Sequence, residues 1–312
     1  MKDKIKLHFM TFEDAYHEYI EYAKLKQKPT SILSFKRQME KNVIPYFGNK
    51  KVKKINALEY TRWQTKMQEK KLKYVYRKNL HYDMCAIYKY LENHYNIKNI
   101  PRIVGNFKDD YEIEEEKEIW NIEEFNKFIE NVNELMYKTL FRLLFFSGMR
   151  KGEVIALKFK DIEENKINIY KSISKDVFNG ERIIIKPKSK KSIRKILIDY
   201  ETIKNINELK EIYKTKYKNF NNELYIFGGD KPISYTTLQR KFEFYIKKAK
   251  IKKITIHGLR HSHASMLYQN NIPIKTISKR LGHSSISITF DTYIHDYDEN
   301  EKKVVKLLSK NL

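Results

Sequence analysis

Two short segments near the end of the sequence carry polar side chains in an order that suits the chemistry of a phosphodiester. The segment HGLRHSHAS contains His257 and Arg260, and the segment LGHSSISITFDTYIH contains His283 and Tyr293. Arginine and histidine side chains can surround a phosphate with positive charge and hydrogen-bond donors, which stabilise the charge that develops when phosphorus is attacked. A tyrosine beside such a group is a candidate nucleophile.

Two upstream segments add further charged side chains. SGMRKGEVIAL supplies Arg150 and Glu153, and IKPKSKKSIRKILI supplies Lys188. We interpret Glu153 as a partner that positions the arginines rather than as an acid catalyst. A protein that itself neutralises the charge at phosphorus needs no metal ion for attack by tyrosine. The sequence has no P-loop pattern either, so we expect no cofactor.

Each of these residues also has a simpler interpretation. Arg150 follows a helix-ending glycine and could be only a counter-charge to a helix dipole, and Lys188 could be one solvated cation among several. His257 and His261 have the spacing of a metal pair, but no glutamate follows His257 and Arg260 would repel a cation, so we expect no metal site. His261 and His263 are better explained as histidines that pack in the core or that support neighbouring site residues.

The charge of the chain favours a polyanionic partner. The net charge is +24 over 312 residues. An AT-rich genome is an alternative source of so many lysines, but the distribution of charge is informative. Residues 1–108 hold 24 basic and 10 acidic side chains, residues 119–312 hold 38 and 22, and the segment between them holds seven acids and one lysine. Two basic domains joined by an acidic linker over residues 109–118 would suit a clamp on double-stranded DNA.

Simple features of the sequence predict the cellular compartment and whether the chain spans a membrane. No apolar run is long enough for a membrane span, and the N-terminus lacks a signal-peptide core. The single Cys85 rules out an internal disulfide and fits a reducing cytoplasm. We therefore expect a cytoplasmic protein without a membrane partner.

Residues 1–108 are predicted to form a helical DNA-binding domain. Thr11 and Asp14 form a capping-box pattern, a second helix begins near Thr30 or Ser31, Asn56 caps a third, and a fourth runs from about Val75 to Tyr95. The polar faces of these helices carry candidate phosphate contacts at Lys36, Arg37, Arg62, Lys66, Arg77 and Lys78.

The second half is predicted to combine helices with a small sheet. Pro101 and the acidic linker show no periodicity, and the helical pattern resumes at a cap, Asn121. An apolar helix ends at Gly148, and alternation in KINIYKSIS and RKILID indicates a small antiparallel sheet with Lys188 in the hairpin between them. Helices return from Tyr235 onward. The expected fold is mainly α with a small antiparallel β-sheet in the catalytic domain.

Over about residues 10–298 these motifs resemble the tyrosine site-specific recombinase family, also called phage integrases. The resemblance implies that two arginines, a lysine and two histidines activate the scissile phosphate, and that a tyrosine attacks it to give a 3′-phosphotyrosyl intermediate. The lysine, which would protonate the leaving 5′ oxygen, is Lys188, although Lys190 is close enough to be the family's lysine. The positions that match the family's motifs are Arg150, Glu153, Lys188, His257, Arg260, His283 and Tyr293.

The resemblance also carries expectations about organisation. Residues 1–108 would be a core-binding domain and residues 119–298 the catalytic domain. Residues 299–312 would be a tail that could fold back on its own domain, although the resemblance favours docking on a neighbouring protomer. Only Met1 to Met10 precede the first helix, so the arm-binding domain of many integrases is expected to be absent or trimmed. A homotetramer would act on two DNA sites, with accessory DNA-bending or directionality factors, in the nucleoid of a bacterial or phage-bearing cell.

Three functions compete on the sequence. The first is site-specific recombination for integration or excision of a mobile element. The second is a type IB topoisomerase, which has similar catalytic groups but relaxes supercoils as a monomer. The third is a non-catalytic architectural DNA-binding protein, which a degenerate catalytic centre would favour. All the motif positions are occupied here, and that favours the first.

Overall fold

The computed structural model describes residues 9–108, 118–178, 181–185, 192–283 and 285. The chain divides into two units, residues 1–115 and 116–312. Lys188, Lys190, Tyr293, Tyr297 and the C-terminal tail lie outside the described residues. The expected fold class is confirmed, because both units are largely helical and small antiparallel sheets occur in the second.

The first unit is built of helices whose starts follow from local capping. The Thr11 hydroxyl accepts from the backbone N–H of Asp14 at the first helix, and the Asn56 side chain accepts from that of Glu59 at the fourth. The predicted start near Thr30 is slightly late, because Pro29 occupies the first turn. The helices are α1 Phe12–Lys24, α2 Pro29–Asn42, α3 Ile44–Phe47, α4 Ala57–Glu69, α5 Tyr74–Tyr95 and α6 Ile100–Val104, with a 3₁₀ turn at Val52–Lys54.

Aromatic side chains from most of these helices fill the core of the first unit. Trp63 of α4 is fully buried, and its indole N–H donates to the carbonyl of Asn42 at the end of α2, 3.0 Å away. The Tyr60 hydroxyl lies 2.9 Å from His81 Nδ1 on α5. Pro101, which the sequence analysis places in the linker, is instead buried within α6. These contacts fix α4 against α2 and α5.

The second unit begins with two helices that meet through aromatic stacking. Asn121 caps the first of them, as predicted, and also forms a capping box with Glu124. The ring centroids of Phe125 and Phe145 lie 3.9 Å apart. The helices of this unit are α7 Ile122–Glu130, α8 Leu135–Ser147, α9 Lys151–Ile155, α10 Tyr200–Lys216, α11 Tyr235–Ala249, α12 Ile256–Gln269 and α13 Ile274–Leu281. The sequence analysis does not predict α10.

Two antiparallel sheets lie between α9 and α10. The strands are β1 Ile162–Glu163, β2 Lys166–Ile169, β3 Ser172–Phe178, β4 Glu181–Ile185 and β5 Arg194–Leu197, with a 3₁₀ turn at Phe159–Asp161 before them. The first sheet has the order β1-β2-β5, and the predicted pairing of KINI with RKIL is confirmed with Ile167 opposite Ile196. The expectation of one hairpin is incomplete, because β3 and β4 form a second, two-stranded sheet inside that connection.

Close contacts fix α9 against the inserted hairpin. A Cβ at Gly152 would lie 2.5 Å from Ser172 Oγ, so only glycine allows β3 to approach this closely. The Tyr235 hydroxyl donates to the carbonyl of Ile173 at 2.6 Å and adds a tie from α11. No helix in the described part of the chain is long and apolar enough to span a membrane.

Candidate active site

Arg150 and Glu153 form one unit at the turn between α8 and α9. Gly148 ends α8 in the left-handed region, with φ of +64°, and Arg150 then caps α9 with extended backbone. Glu153 Oε2 accepts from the Arg150 backbone N–H at 2.9 Å, and Oε1 accepts from Arg150 Nη1 at 3.1 Å. The Glu153 side chain is 6% exposed and that of Arg150 is 40% exposed, so the carboxylate is buried and the guanidinium reaches the surface.

Arg194, at the start of β5, is the buried partner of the same carboxylate. Its Nη1 and Nη2 donate to Glu153 Oε1 and Oε2 at 3.1 and 2.9 Å. Burial alone would raise the pKa of Glu153, but the hydrogen bonds and charge of Arg194, followed by those of Arg150, hold it below its usual value. Glu153 is therefore ionised at neutral pH and accepts hydrogen bonds from two arginines, Arg150 and Arg194.

The sequence analysis does not identify Arg194, although a signal for it is present. Burial alternates along β5, with Arg194 and Ile196 inward and Lys195 and Leu197 outward. A charged residue on the inward face of a strand must have a partner, because a buried, unpaired charge is very costly. The alternation therefore separates Arg194 from the solvated cations around it.

Arg260 links the ends of two other helices. It lies on α12, its side chain is buried, and its Nη1 and Nη2 donate to the carbonyls of Gly148 and Leu281 at 2.6 and 2.9 Å. Arg150 Nη2 donates to the neighbouring carbonyl of Gly282 at 3.2 Å. The two arginines that the motifs single out thus converge on one turn, Leu281–Gly282, at the C-terminal end of α13, where cations also complement the helix dipole.

His283 follows that turn directly and lies among the arginines. Its backbone N–H donates to Ser278 O at 3.1 Å, and Gly282 precedes it with φ of +69°. Burial, then the positive charges of Arg260 and Arg150, lower the pKa of His283 to about 4. The imidazole is therefore neutral at pH 7 and can donate one hydrogen bond and accept another.

His257 lies on the exposed side of α12, three residues before Arg260. Its ring is 4.8 Å from that of His261, edge to face. His263 is buried, and its Nε2 accepts from Arg280 Nε at 3.1 Å, which agrees with the packing role expected for it. Across the described ranges there is no cluster of three or more His, Cys, Asp or Glu side chains that could hold a metal ion.

The described residues therefore bring together Arg150, Glu153, Arg260 and His283, with His257 on the same helix as Arg260. The arrangement offers cationic and neutral donors around a partly exposed guanidinium, which suits binding of a phosphate.

Two family models match the chain. The Phage integrase family model matches residues 118–300, and the model of the Phage integrase N-terminal SAM-like domain matches residues 11–68. The chain belongs to the phage integrase family. It is accordingly a tyrosine recombinase, an enzyme that cleaves and rejoins DNA.

Individual relatives of this integrase agree with the family. It is 27% identical over 299 residues to the ICEBs1 integrase of Bacillus subtilis, covering 93% of this chain and 80% of that protein. Its fold resembles the Tn1549 transposon integrase in complex with a circular intermediate DNA, with TM-score 0.77, 19% identity and 96% and 99% of the two chains covered. It also resembles one chain of a lambda integrase tetramer bound to a Holliday junction, with TM-score 0.64, 16% identity and 88% and 78% of the two chains covered.

The candidate DNA contacts of the integrase's first unit differ in exposure. Arg37, Arg62 and Lys66 are exposed, whereas Lys36 and Lys78 are half-buried. Lys66 Nζ lies 5.0 Å above the ring of Tyr46, and Lys78 Nζ lies 5.7 Å from that of Tyr74.

Arg77 is not on a polar face, and that part of the expectation is wrong. Arg77 is only 2% exposed, and its guanidinium lies 5.7 Å from the Phe107 ring. The reason is its position on α5. Arg77 precedes Leu80, Met84 and Leu91 at helical spacing, so it continues the buried stripe.

Proposed function

We propose that this integrase cuts and rejoins duplex DNA at specific sites through a phosphotyrosyl link at Tyr293, for the integration and excision of a mobile element. The observation that carries the proposal is the convergence of Arg150 and Arg260 on the turn that precedes His283. A mobile-element role is supported by the relatives, which include the ICEBs1 integrase and the Tn1549 transposon integrase.

In this mechanism the scissile phosphate binds at the exposed end of Arg150. Arg150 and His283 donate to its non-bridging oxygens, and the buried charge of Arg260 adds to the positive potential. The phosphate reaches a site whose donors are already held by Glu153 and by the α13 carbonyls. Little reorganisation is then needed when negative charge builds up at phosphorus, and this is the main advantage of a preorganised site.

The nucleophile and the general acid complete the reaction. The Tyr293 Oη forms a bond to phosphorus, the bond from phosphorus to the 5′ oxygen breaks, and Lys188, or Lys190, protonates that oxygen. The tyrosine proton passes to His257, which is exposed on α12. In the second half of the reaction a 5′ hydroxyl attacks the phosphotyrosine and releases Tyr293. Because the link conserves the phosphodiester energy, neither ATP nor another cofactor is required.

The wider organisation is proposed from charge and from the relatives. Two basic domains, residues 1–108 and 119–298, would clamp duplex DNA from opposite sides, joined by the acidic linker 109–118. The lambda integrase tetramer on a Holliday junction supports a homotetramer on two DNA sites, with residues 299–312 linking protomers. Accessory DNA-bending or directionality factors would select the direction. Since the substrate is DNA, the proposed place of action is the bacterial nucleoid.

Covalent trapping tests this proposal. Nicked duplexes tiled across the DNA that flanks the gene would be incubated with wild type, with Tyr293→Phe and with the matched control Tyr297→Phe. We expect SDS-stable protein–DNA complexes with wild type and Tyr297→Phe, and none with Tyr293→Phe despite normal DNA binding. Binding without trapping by wild type would indicate an architectural protein. Relaxation of supercoils without pairing of two sites would indicate a topoisomerase.

A further inference from the structure

Arg194 and Arg280 join β5 to α13 through hydrogen bonds in both directions. Arg194 Nε donates to the carbonyl of Arg280 at 2.7 Å, and Arg280 Nη2 donates to the carbonyl of Leu197 at 3.0 Å. Each arginine therefore binds the element that carries the other, β5 in one case and α13 in the other. We call this the reciprocal arginine pair.

Each member also reaches a third element. Arg280 Nη2 donates to Phe146 O at 2.9 Å, which ties α13 to the end of α8. Arg194 binds both oxygens of Glu153, and its Nη1 also donates to Ser192 O at 3.2 Å. The pair thus connects α8, α9, β5 and α13, the elements that carry or adjoin Arg150 and His283.

Arg194 itself is committed to the protein. Four of its five N–H groups have carbonyl or carboxylate acceptors, and its side chain is 5% exposed. A phosphate at the surface would reach Arg150, which is 40% exposed, but not this guanidinium. The role of Arg194 is therefore exerted through other residues.

The turn before His283 is in close contact with the Arg194 side chain. A Cβ on Gly282 would lie 2.8 Å from Arg194 Nη1, and Gly282 has φ of +69°. The carbonyl of the same Gly282 accepts from Arg150. A displacement of Arg194 would consequently move both the acceptor of Arg150 and the start of His283.

We propose that the reciprocal arginine pair, Arg194 and Arg280, positions Arg150 and His283 for the attack on phosphorus, a role that rests on the proposed function. The planar fork of arginine is required because Arg194 must donate in three directions at once, to Glu153, to Ser192 O and to Arg280 O. Lysine keeps the charge but concentrates its donors at one atom, so Arg194→Lys and Arg280→Lys separate geometry from charge.

The test is single-turnover covalent trapping with full-length protein on the nicked duplex that wild type cleaves. At saturating DNA, we expect Arg194→Lys and Arg280→Lys to trap roughly 10–100-fold more slowly, as expected for a misplaced catalytic group. The DNA dissociation constant should stay within about threefold of wild type, because Arg194 is buried and Nε and Nη2 of Arg280 donate to protein acceptors. The matched control is Arg142→Lys, which alters a partly buried arginine–carboxylate pair with Asp199 (2.9 Å). This pair adjoins Arg280, but its hydrogen bonds among the described residues do not involve Glu153 or the Leu281–Gly282 turn, so the variant should trap at the wild-type rate.

A substrate with a methylphosphonate at the scissile position separates positioning from general loss of structure. Methylphosphonate lacks one charged oxygen. A misplaced Arg150 therefore lowers the trapping rate less on this substrate than on phosphate. We expect the rate penalty of both lysine variants to shrink on methylphosphonate, as that of Arg150→Ala should, while thermal melting stays cooperative.

The outcomes distinguish failure of the positioning role from failure of the proposed function. If wild type traps DNA and both Arg194→Lys and Arg280→Lys trap it at the wild-type rate, the positioning role is overturned and the proposed function stays intact. A penalty that is the same on both substrates, or matched by Arg142→Lys, would also overturn it, since that result indicates a structural effect. No trapping by wild type would overturn the proposed function itself. If Arg194→Lys does not melt cooperatively, the trapping rates of Arg280→Lys on the two substrates test the positioning role.

Discussion

Replacing Glu153 with glutamine removes the charge that holds two arginines. The carboxylate accepts four N–H groups, two from Arg150 and two from Arg194, at 2.9 to 3.1 Å. An amide of the same shape turns one acceptor into a donor, which then faces a guanidinium. Its loss of charge also leaves Arg194, with a side chain that is 5% exposed, without a counter-ion.

The size of the effect follows from burial. Breaking a buried ion pair by removing one partner costs about 3–5 kcal/mol. We assign this mainly to the Arg194–Glu153 pair, since Arg150 is partly exposed and solvent screens its share. For a unit of this size the loss lowers the melting temperature by roughly 6–20 °C. Cleavage should fall as well, because Arg150 loses its support.

The assay is thermal unfolding at neutral pH, with urea unfolding as an independent measure. The control is Glu223→Gln, which removes an exposed acid bonded to Lys158 and Lys160 at 3.0 and 2.6 Å and should change little. Because the folded pKa of Glu153 is depressed, its contribution is present above the unfolded pKa of about 4.5 and is lost as pH falls through the folded value. Equal melting temperatures for Glu153→Gln and Glu223→Gln would refute this reasoning.

Three further predictions concern backbone, protonation and DNA contacts. Gly148→Ala should destabilise the integrase more than Gly105→Ala in melting experiments: both have positive φ, but an added Cβ meets His263 at 2.5 Å in the first case and nothing within 4 Å in the second. Burial first, then nearby arginines, lower the pKa of His263 from 6.5 to about 3. The free energy of unfolding should therefore fall on acidification below pH 6.5, by roughly 2 kcal/mol at pH ~5. In His263→Gln this loss on acidification should be smaller. Arg62→Gln should reduce the salt dependence of DNA binding by about one unit of slope, whereas Arg77→Gln should instead lower the melting temperature.

Local signals predict much of this fold because their causes are local. The caps at Thr11, Asn56 and Asn121 lie where the sequence places them, since each satisfies backbone N–H groups within three residues. Gly148 ends its helix as expected for a residue that tolerates positive φ. Arg150 caps α9 and His283 follows the end of α13, whereas Arg260 lies within α12 and donates to the Gly148 and Leu281 carbonyls at the ends of α8 and α13.

Long-range packing explains what the sequence analysis misses. Arg77 and Arg194 are buried because a helical stripe and a strand face carry them inward, and residue type alone gives the opposite expectation. The β3–β4 hairpin inserts between two strands whose own pairing is correctly predicted. Helix α10 is missed although Ile206, Leu209 and Tyr213 have the helical spacing of an amphipathic helix, so its signal is present in the sequence.

Mapping the protein–DNA link tests the central claim most directly. After covalent trapping and nuclease digestion, trypsin should release the peptide of residues 281–302, which contains both Tyr293 and Tyr297. Fragmentation by mass spectrometry then shows which tyrosine carries the nucleotide. We predict that Tyr293 carries it, in a complex that is abolished by Tyr293→Phe. A nucleotide on Tyr297, or on any residue outside this peptide, would contradict the assignment of the nucleophile and the mechanism built on it.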